Sequence, residues 1–207
     1  MLRIGVMVSG GGTNLQAILD NINNGRLPGC QVVTVVSSKP DVFALQRARK
    51  NNIPTKVISR KDFISIEDYD DALLSHMRSY DAELVVLAGF LSHLGERFVN
   101  AYKNAIINVH PSLIPSFCGK GYYGLIPHIK ALEYGVKITG ATVHFVELDY
   151  DSGPIILQKA VKILPGDTPE TLQKRVMEQA EWEILPEAIK LFSQKKLKIN
   201  GRHVEIL

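Results

Sequence analysis

The sequence predicts an α/β fold: a Rossmann-like, mostly parallel twisted sheet with helices on both faces, extended at its C-terminal part by antiparallel strands and a long terminal helix. Three observations carry this. Short apolar runs alternate with amphipathic stretches over the first half of the chain, the signature of βαβ units and a parallel sheet. A glycine loop, Ser9-Gly-Gly-Gly-Thr-Asn14, follows the first apolar run directly. Past Pro111 the pattern changes to two long strand-like runs and a final helix.

In chain order, residues 2–8 form the first buried strand, and Leu15, Ile18, Leu19 and Ile22 fall on one face of the helix after the glycine loop, which ends near Gly25. Residues 32–36 are a second strand. Asp41 is expected to cap the basic helix that runs through Arg47 to Lys50, and residues 53–58 form a third, shorter strand. A helix over 66–80 buries Leu73, Leu74 and Met77. Residues 83–89 are the most hydrophobic strand so far, and 94–102 another helix. Ile106, Ile107 and Val109 form a short buried strand that stops at Pro111, which cannot donate to a ladder. A helix over 127–134 ends at Gly135. Residues 137–148 and 154–163 pair as a hairpin with a long loop between them. Thr168-Pro169 opens the last helix, with Pro169 at its first position and Val176, Ala180 and Ile184 on its buried face.

At 207 residues the chain fits one domain over 1–207, with an N-terminal lobe of about 1–110 and a C-terminal lobe of about 111–207. The formal charge of +3 argues against a nucleic-acid partner, and the basic run at Lys195, Lys196 and Lys198 reads as a solvated tail. No apolar run reaches membrane-spanning length, and the N-terminus lacks a signal-peptide layout, so a cytoplasmic protein is expected. Cys30 and Cys118 have no metal-type spacing and suggest neither a disulfide framework nor a zinc site.

Candidate chemistry concentrates in three places. On the strand ending at His110, Asn108 and His110 are two residues apart and therefore share a face, at a strand end where open α/β sheets place their ligands. An amide and an imidazole there are either capped by hydrogen bonds or catalytic. The loop Gly11-Gly12-Thr13-Asn14 allows close backbone approach and is followed by a helix N-terminus, so phosphate is its natural guest; a tight turn capped by Thr13 is the alternative. It is not a Walker loop. Leu15 stands where a dinucleotide fingerprint has its third glycine, and the second strand ends in Ser37-Ser38-Lys39 without an acidic residue. Asp151, in Asp149-Tyr-Asp-Ser-Gly153, is either a turn former or the partner of His110, in which case it would favour imidazolium and bring the titration of His110 near neutral pH. His144 shares a strand face with Thr142 and Val146 and reads as an interior histidine, and Glu181 as a solvated helix glutamate.

Ser-Gly-Gly-Gly-Thr-Asn-Leu-Gln, Val-Leu-Ala-Gly-Phe, Asn-Val-His-Pro-Ser-Leu-Ile-Pro and Gly140-Ala-Thr-Val-His-Phe-Val with Asp151-Ser-Gly-Pro-Ile-Ile stand in this order in the chain. Together they resemble the phosphoribosylglycinamide formyltransferases of the formyl-folate transferase superfamily, from Ile4 to about Lys198. The resemblance implies 10-formyltetrahydrofolate as cosubstrate, no metal, and small-molecule substrates, with the chain a monomer or homodimer. It implies Asn108, His110 and Asp151 as the catalytic trio, and Gly11, Gly12, Thr13 and Asn14 on the substrate phosphate. Glu181 would meet the glycinamide end. The folate would lie along Phe90, Leu91, Leu94, Val99, Val146, Glu147 and Leu148, and His144 would line the same cleft. The chain departs from the family where Ile66 and Ser92 replace arginines; Arg60 or Lys61 could serve instead of the first. The loop over 117–124 is longer and richer in glycine than in many members, and Lys120 could reach a bound anion from it. Within the superfamily, formyl-folate hydrolysis or formylation of another amine are the competing activities; a phosphate- or nucleotide-binding module without turnover is the competing non-enzyme.

Overall fold

The computed structural model describes all residues, Met1–Leu207, which fall into two compact units, Met1–Asn108 and Val109–Leu207. In the first unit, five parallel strands are β1 (Leu2–Val8), β2 (Cys30–Ser37), β3 (Thr55–Val57), β4 (Leu84–Leu87) and β5 (Ile106–His110), the last running on into the second unit. Their order is β3-β2-β1-β4-β5. Four helices join them: α1 (Thr13–Asn23), α2 (Phe43–Lys50), α3 (Ile66–Ser79) and α4 (Glu96–Ala101). Ile4, Val6, Val35, Leu84, Val86 and Ile107 are sealed from solvent, as expected of strands covered on both faces. The reversal of strand order beside β1 puts the glycine loop at a topological switch point, where such sheets bind ligands.

The second unit contains α5 (Ile126–Tyr134), β6 (Ile138–Phe145), β7 (Ile155–Lys162), α6 (Pro169–Val176), α7 (Trp182–Ser193), β8 (Leu197–Asn200) and β9 (His203–Ile206). β6 and β7 form the expected antiparallel hairpin, with Ile138 opposite Lys162 and Val143 opposite Leu157; the register shifts at His144, which lies opposite Ile155. This bulge re-aims the side chains beside it. β9 joins β7 in parallel and β8 closes the edge.

Four details depart from expectation. The final helix begins as read, with a capping box between Thr168 and Thr171 and Pro169 in its first turn, but a π-helical turn over Met177–Glu181 interrupts it. Pro186, inside α7, has no N–H to return to the preceding turn, and a wider turn upstream accommodates it. The basic tail is a hairpin: Leu197 and Ile199 alternate with lysine and asparagine, and Asn200 pairs with His203 across the two-residue turn Gly201-Arg202, with Gly201 at φ +59°. Asp41 does not cap α2; it sits at φ +54° just ahead of Val42, which caps without a side-chain bond. Nor does Thr13 cap α1, because Gly12 occupies that position.

Candidate functional site: a glycine loop and an imidazole–carboxylate cluster

The loop after β1 is built from backbone. Gly12 adopts φ +71°, and a Cβ there would lie 2.6 Å from the Ala44 side chain, so any larger residue would push α2 away. Gly10 and Gly11 face open space. Ala44 N–H donates to the Gly10 carbonyl (3.1 Å), and Arg47 donates through Nε to the Gly11 carbonyl (2.9 Å) and through Nη1 to Gln16 (2.9 Å). Arg47 belongs to the basic helix of the sequence, and no local signal distinguishes it there; folded, its guanidinium braces the loop and supplies positive charge beside the N-terminus of α1. Ser9 joins three strand ends, its hydroxyl 2.5 Å from that of Ser38 and accepting from Leu91 N–H at 2.8 Å. The glycine backbone, the N-terminus of α1 and Arg47 together concentrate positive potential at this loop, an environment that favours an anion.

β5 delivers Asn108 and His110 to one side of a strand end, with Asn108 half-buried and His110 4% exposed. The segment after β5 is pinned by Thr142 on β6, whose hydroxyl donates to the Ser112 carbonyl (2.7 Å) and accepts from Ile114 N–H (3.1 Å). Gln158 on β7 donates to the Ile114 carbonyl at 2.9 Å. The His-Pro-Ser-Leu-Ile-Pro run is therefore fixed by hydrogen bonds that its own sequence does not contain.

Asp151 lies between two imidazoles. Its Oδ2 is 3.5 Å from His110 Nδ1, and its Oδ1 is 3.6 Å from His144 Nε2. Gly119 N–H donates to Oδ2 at 2.8 Å. Asp151 holds a left-handed backbone, φ +52°, which aspartate tolerates in turns. Gly153 lets the turn close, because a Cβ there would collide with the Phe145 carbonyl. The outer nitrogens of both rings face carbonyls: His110 Nε2–H donates to Phe117 O at 3.0 Å and His144 Nδ1–H to Phe145 O at 2.8 Å.

Burial pulls the His110 pKa below its ordinary value, against Asp151 and the Phe117 carbonyl, which push it up; the His144 ring adds to the lowering. The expected carboxylate partner is present, but desolvation outweighs it. Asp151 is itself partly desolvated, which favours its neutral form, yet the His144 ring, the charge on His110 and the Gly119 amide hold its carboxyl below the usual range. His128, on α5, is fully buried with no hydrogen-bond partner on either ring nitrogen. Desolvation, assisted by His110, pushes its pKa down to about 4. Nothing in the spacing of Ile126-Pro-His-Ile marked this residue out. Burial, then the Asp151 charge, raises the Cys118 thiol.

Glu181 is buried at 6% exposure, on the π-helical turn, and is not the solvated helix glutamate its type suggested. In the first unit Leu94 and Val99 are buried, Phe90 is half-buried and Leu91 is 47% exposed. In the second, Val146 is half-buried while Glu147 and Leu148 are exposed. Arg60 lies in a short 3₁₀ turn and donates to the Phe63 carbonyl at 2.7 Å, while Lys61 and Lys120 are exposed. Ile66 starts α3 behind the Ser65 cap, and Ser92 is half-buried. No group of three or more His, Cys, Asp or Glu side chains is arranged to hold a metal ion, the His110–Asp151–His144 cluster included. No helix is long and apolar enough to cross a membrane.

Among solved structures, the chain is similar to glycinamide ribonucleotide transformylase 1 from Symbiobacterium toebii, with a TM-score of 0.94 and 44% identity over 100% of this chain and 94% of that one. It is 40% identical to the phosphoribosylglycinamide formyltransferase of Escherichia coli, covering 96% of this chain and 91% of that protein. It also matches the trifunctional purine biosynthetic protein adenosine-3 of Chironomus tentans at 39% identity, spanning 14% of that longer protein. The formyl transferase family pattern covers residues 2–189, and the chain therefore belongs to the formyl transferase family.

Proposed function

We infer that this chain transfers the formyl group of 10-formyltetrahydrofolate to the amine of 5'-phosphoribosylglycinamide, a step of de novo purine biosynthesis. The observation that carries the reading is Asp151 held against His110, at the end of the strand that also carries Asn108, in a chain similar over nearly its whole length to proteins named for this reaction. The substrate amine attacks the formyl carbon on N10. The carbonyl π pair moves onto oxygen, and the new C–N bond leaves an ammonium on the attacking nitrogen. Asn108 and the His110 imidazole supply donors to the oxyanion, which fixed groups in a dry site stabilise strongly. As the C–N10 bond breaks, its electron pair stays on N10, which takes up the proton lost by the amine; Asp151 orients the imidazole and assists that transfer. Gly11, Gly12, Thr13 and Asn14, with Arg47 behind them, hold the phosphate. Glu181 receives the amine-bearing end, and the pterin lies along Phe90, Leu91, Leu94, Val99 and Val146 to Leu148. Arg60 or Lys61 takes the place of the arginine that Ile66 replaces, and Lys120 is the loop cation. The chain acts on small molecules in the cytoplasm as a monomer or homodimer and is one domain of two lobes.

The test is an absorbance assay for loss of formyl-folate with three acceptors: phosphoribosylglycinamide, a sugar amine, and water alone. Turnover with the first, far above the other two, is expected. Equal consumption with water alone would make the chain a hydrolase, and binding of phosphate compounds without turnover would make it a binding module.

A further inference from the structure

Aspartate is an unusual residue for the inner face of a helix, yet Asp70 on α3 is 1% exposed, beside the sealed Tyr69, Leu73 and Met77. Its two oxygens are spent on backbone amides of another element. Oδ1 accepts from Gly95 N–H at 2.9 Å and Oδ2 from Phe98 N–H at 3.1 Å. Both are orphan donors at the start of α4, which has no side-chain cap of its own because Gly95 stands at its N-cap. Asp70 therefore caps α4 from a different helix. A Cβ on Gly95 would collide with Asp70 Oδ2 and lie 2.7 Å from Ile66 Cγ1, so only glycine admits the carboxylate this close. The Asp71–Arg97 ion pair ties the same two helices at 2.6 Å, but both side chains are more than half exposed and the pair contributes little.

The stretch held this way carries apolar groups expected against the folate. Leu94 directly precedes Gly95 and Val99 follows Phe98, both buried, with Phe90 and Leu91 just upstream. Residues 89–95 belong to neither helix nor strand, so no ladder fixes their path. Two side-chain acceptors do so instead: the Ser9 hydroxyl, 2.8 Å from Leu91 N–H, at one end, and Asp70 at the other. We propose that Asp70 is a positioning residue for the folate side of the site: by capping α4 it holds Leu94 and Val99 in place for the pterin, and it sets affinity for formyl-folate without entering the chemistry. The inference rests on the functional reading above for the identity of the ligand, whereas the cap belongs to the resting protein.

Amide hydrogen exchange in the wild-type protein is the first measurement. Gly95 and Phe98 N–H should exchange at least about a hundredfold more slowly than exposed loop amides, and fast exchange at both overturns the proposal. Binding of tetrahydrofolate should slow exchange across residues 91–99 further; binding that leaves these amides unchanged overturns the proposal without any variant having to fold. The second measurement uses Asp70→Asn, which keeps the side-chain volume but turns an NH2 group towards one of the two amides, and Gly95→Ala, which disturbs the same contact with the carboxylate intact. In each, exchange should quicken over residues 91–99 and not in β4 or β5. KM for formyl-folate should rise about fivefold, the equivalent of one lost helix cap, while kcat and KM for phosphoribosylglycinamide stay within about twofold. Equal rises in both KM values, or a lower Tm with no split between the substrates, would make Asp70 a stability residue alone and overturn the proposal. An absence of formyl-folate turnover in the wild type, with Gly95 and Phe98 protected and Asp70→Asn loosening only residues 91–99, overturns the functional reading and leaves the cap standing.

Discussion

The backbone carbonyl of Phe117 accepts a hydrogen bond from His110 Nε2–H at 3.0 Å, so the loop over 117–124 lies against the nitrogen that would meet a developing oxyanion. Phe117 itself sits at φ +51°, a conformation unusual for a bulky residue. In the proposed reaction a bound formyl group would replace this carbonyl as the acceptor. Removing the donor should therefore cost what loss of one oxyanion donor usually costs, about 10²–10³ in kcat for His110→Ala. Steady-state kinetics alongside circular dichroism check this. Near-normal kcat in a folded His110→Ala protein would remove His110 from the chemistry.

Asp151→Asn keeps the shape of the turn and removes the charge. Since the carboxylate pushes the His110 pKa up against burial, the asparagine should lower it further. A histidine NMR titration reads this directly, with a downward shift of about one unit expected. Turnover should fall at least about a hundredfold, because both the orientation of the ring and the proton-transfer partner are lost.

Gly12→Ala tests the glycine loop. The added Cβ meets Ala44 and faces a positive φ, so the loop must shift against α2. KM for the phosphate-bearing amine should rise about tenfold or more, equivalent to ~1.4 kcal/mol of lost binding. KM for formyl-folate should hardly change. Equal rises for both substrates would show that the loop does not read phosphate selectively.

His128 should make the protein acid-sensitive. Its folded pKa of about 4 lies below the ordinary 6.5, so between these values the unfolded chain binds the extra proton. The contribution of His128 to stability is therefore constant above pH 6.5, declines as pH falls towards 4, and levels off below. His128→Leu removes that slope. From pH 7 to 4.5 the wild type should lose about 2–3 kcal/mol more than the variant. Guanidinium melts at the two pH values measure the difference, and parallel losses would mean that His128 is not buried as a neutral ring.

What the sequence determined by itself is local. Apolar runs of strand length, the glycine loop, the stop at Pro111, the Thr168-Pro169 start and the long β6–β7 hairpin follow from φ restrictions, periodicity and missing donors, all of which act over a few residues. The two-residue spacing of Asn108 and His110 fixed their common face for the same reason. The tertiary structure decided everything that depends on remote partners. It brought Asp151 to His110 across 41 residues of chain, the interval between positions 110 and 151. It set the His110 pKa by burial against the expectation from charge alone, and buried Glu181 on a π turn. Desolvation and long-range pairing depend on what the rest of the chain packs around a side chain. Neighbours in sequence do not encode that, which is why Glu181 and His128 looked ordinary until the fold closed around them.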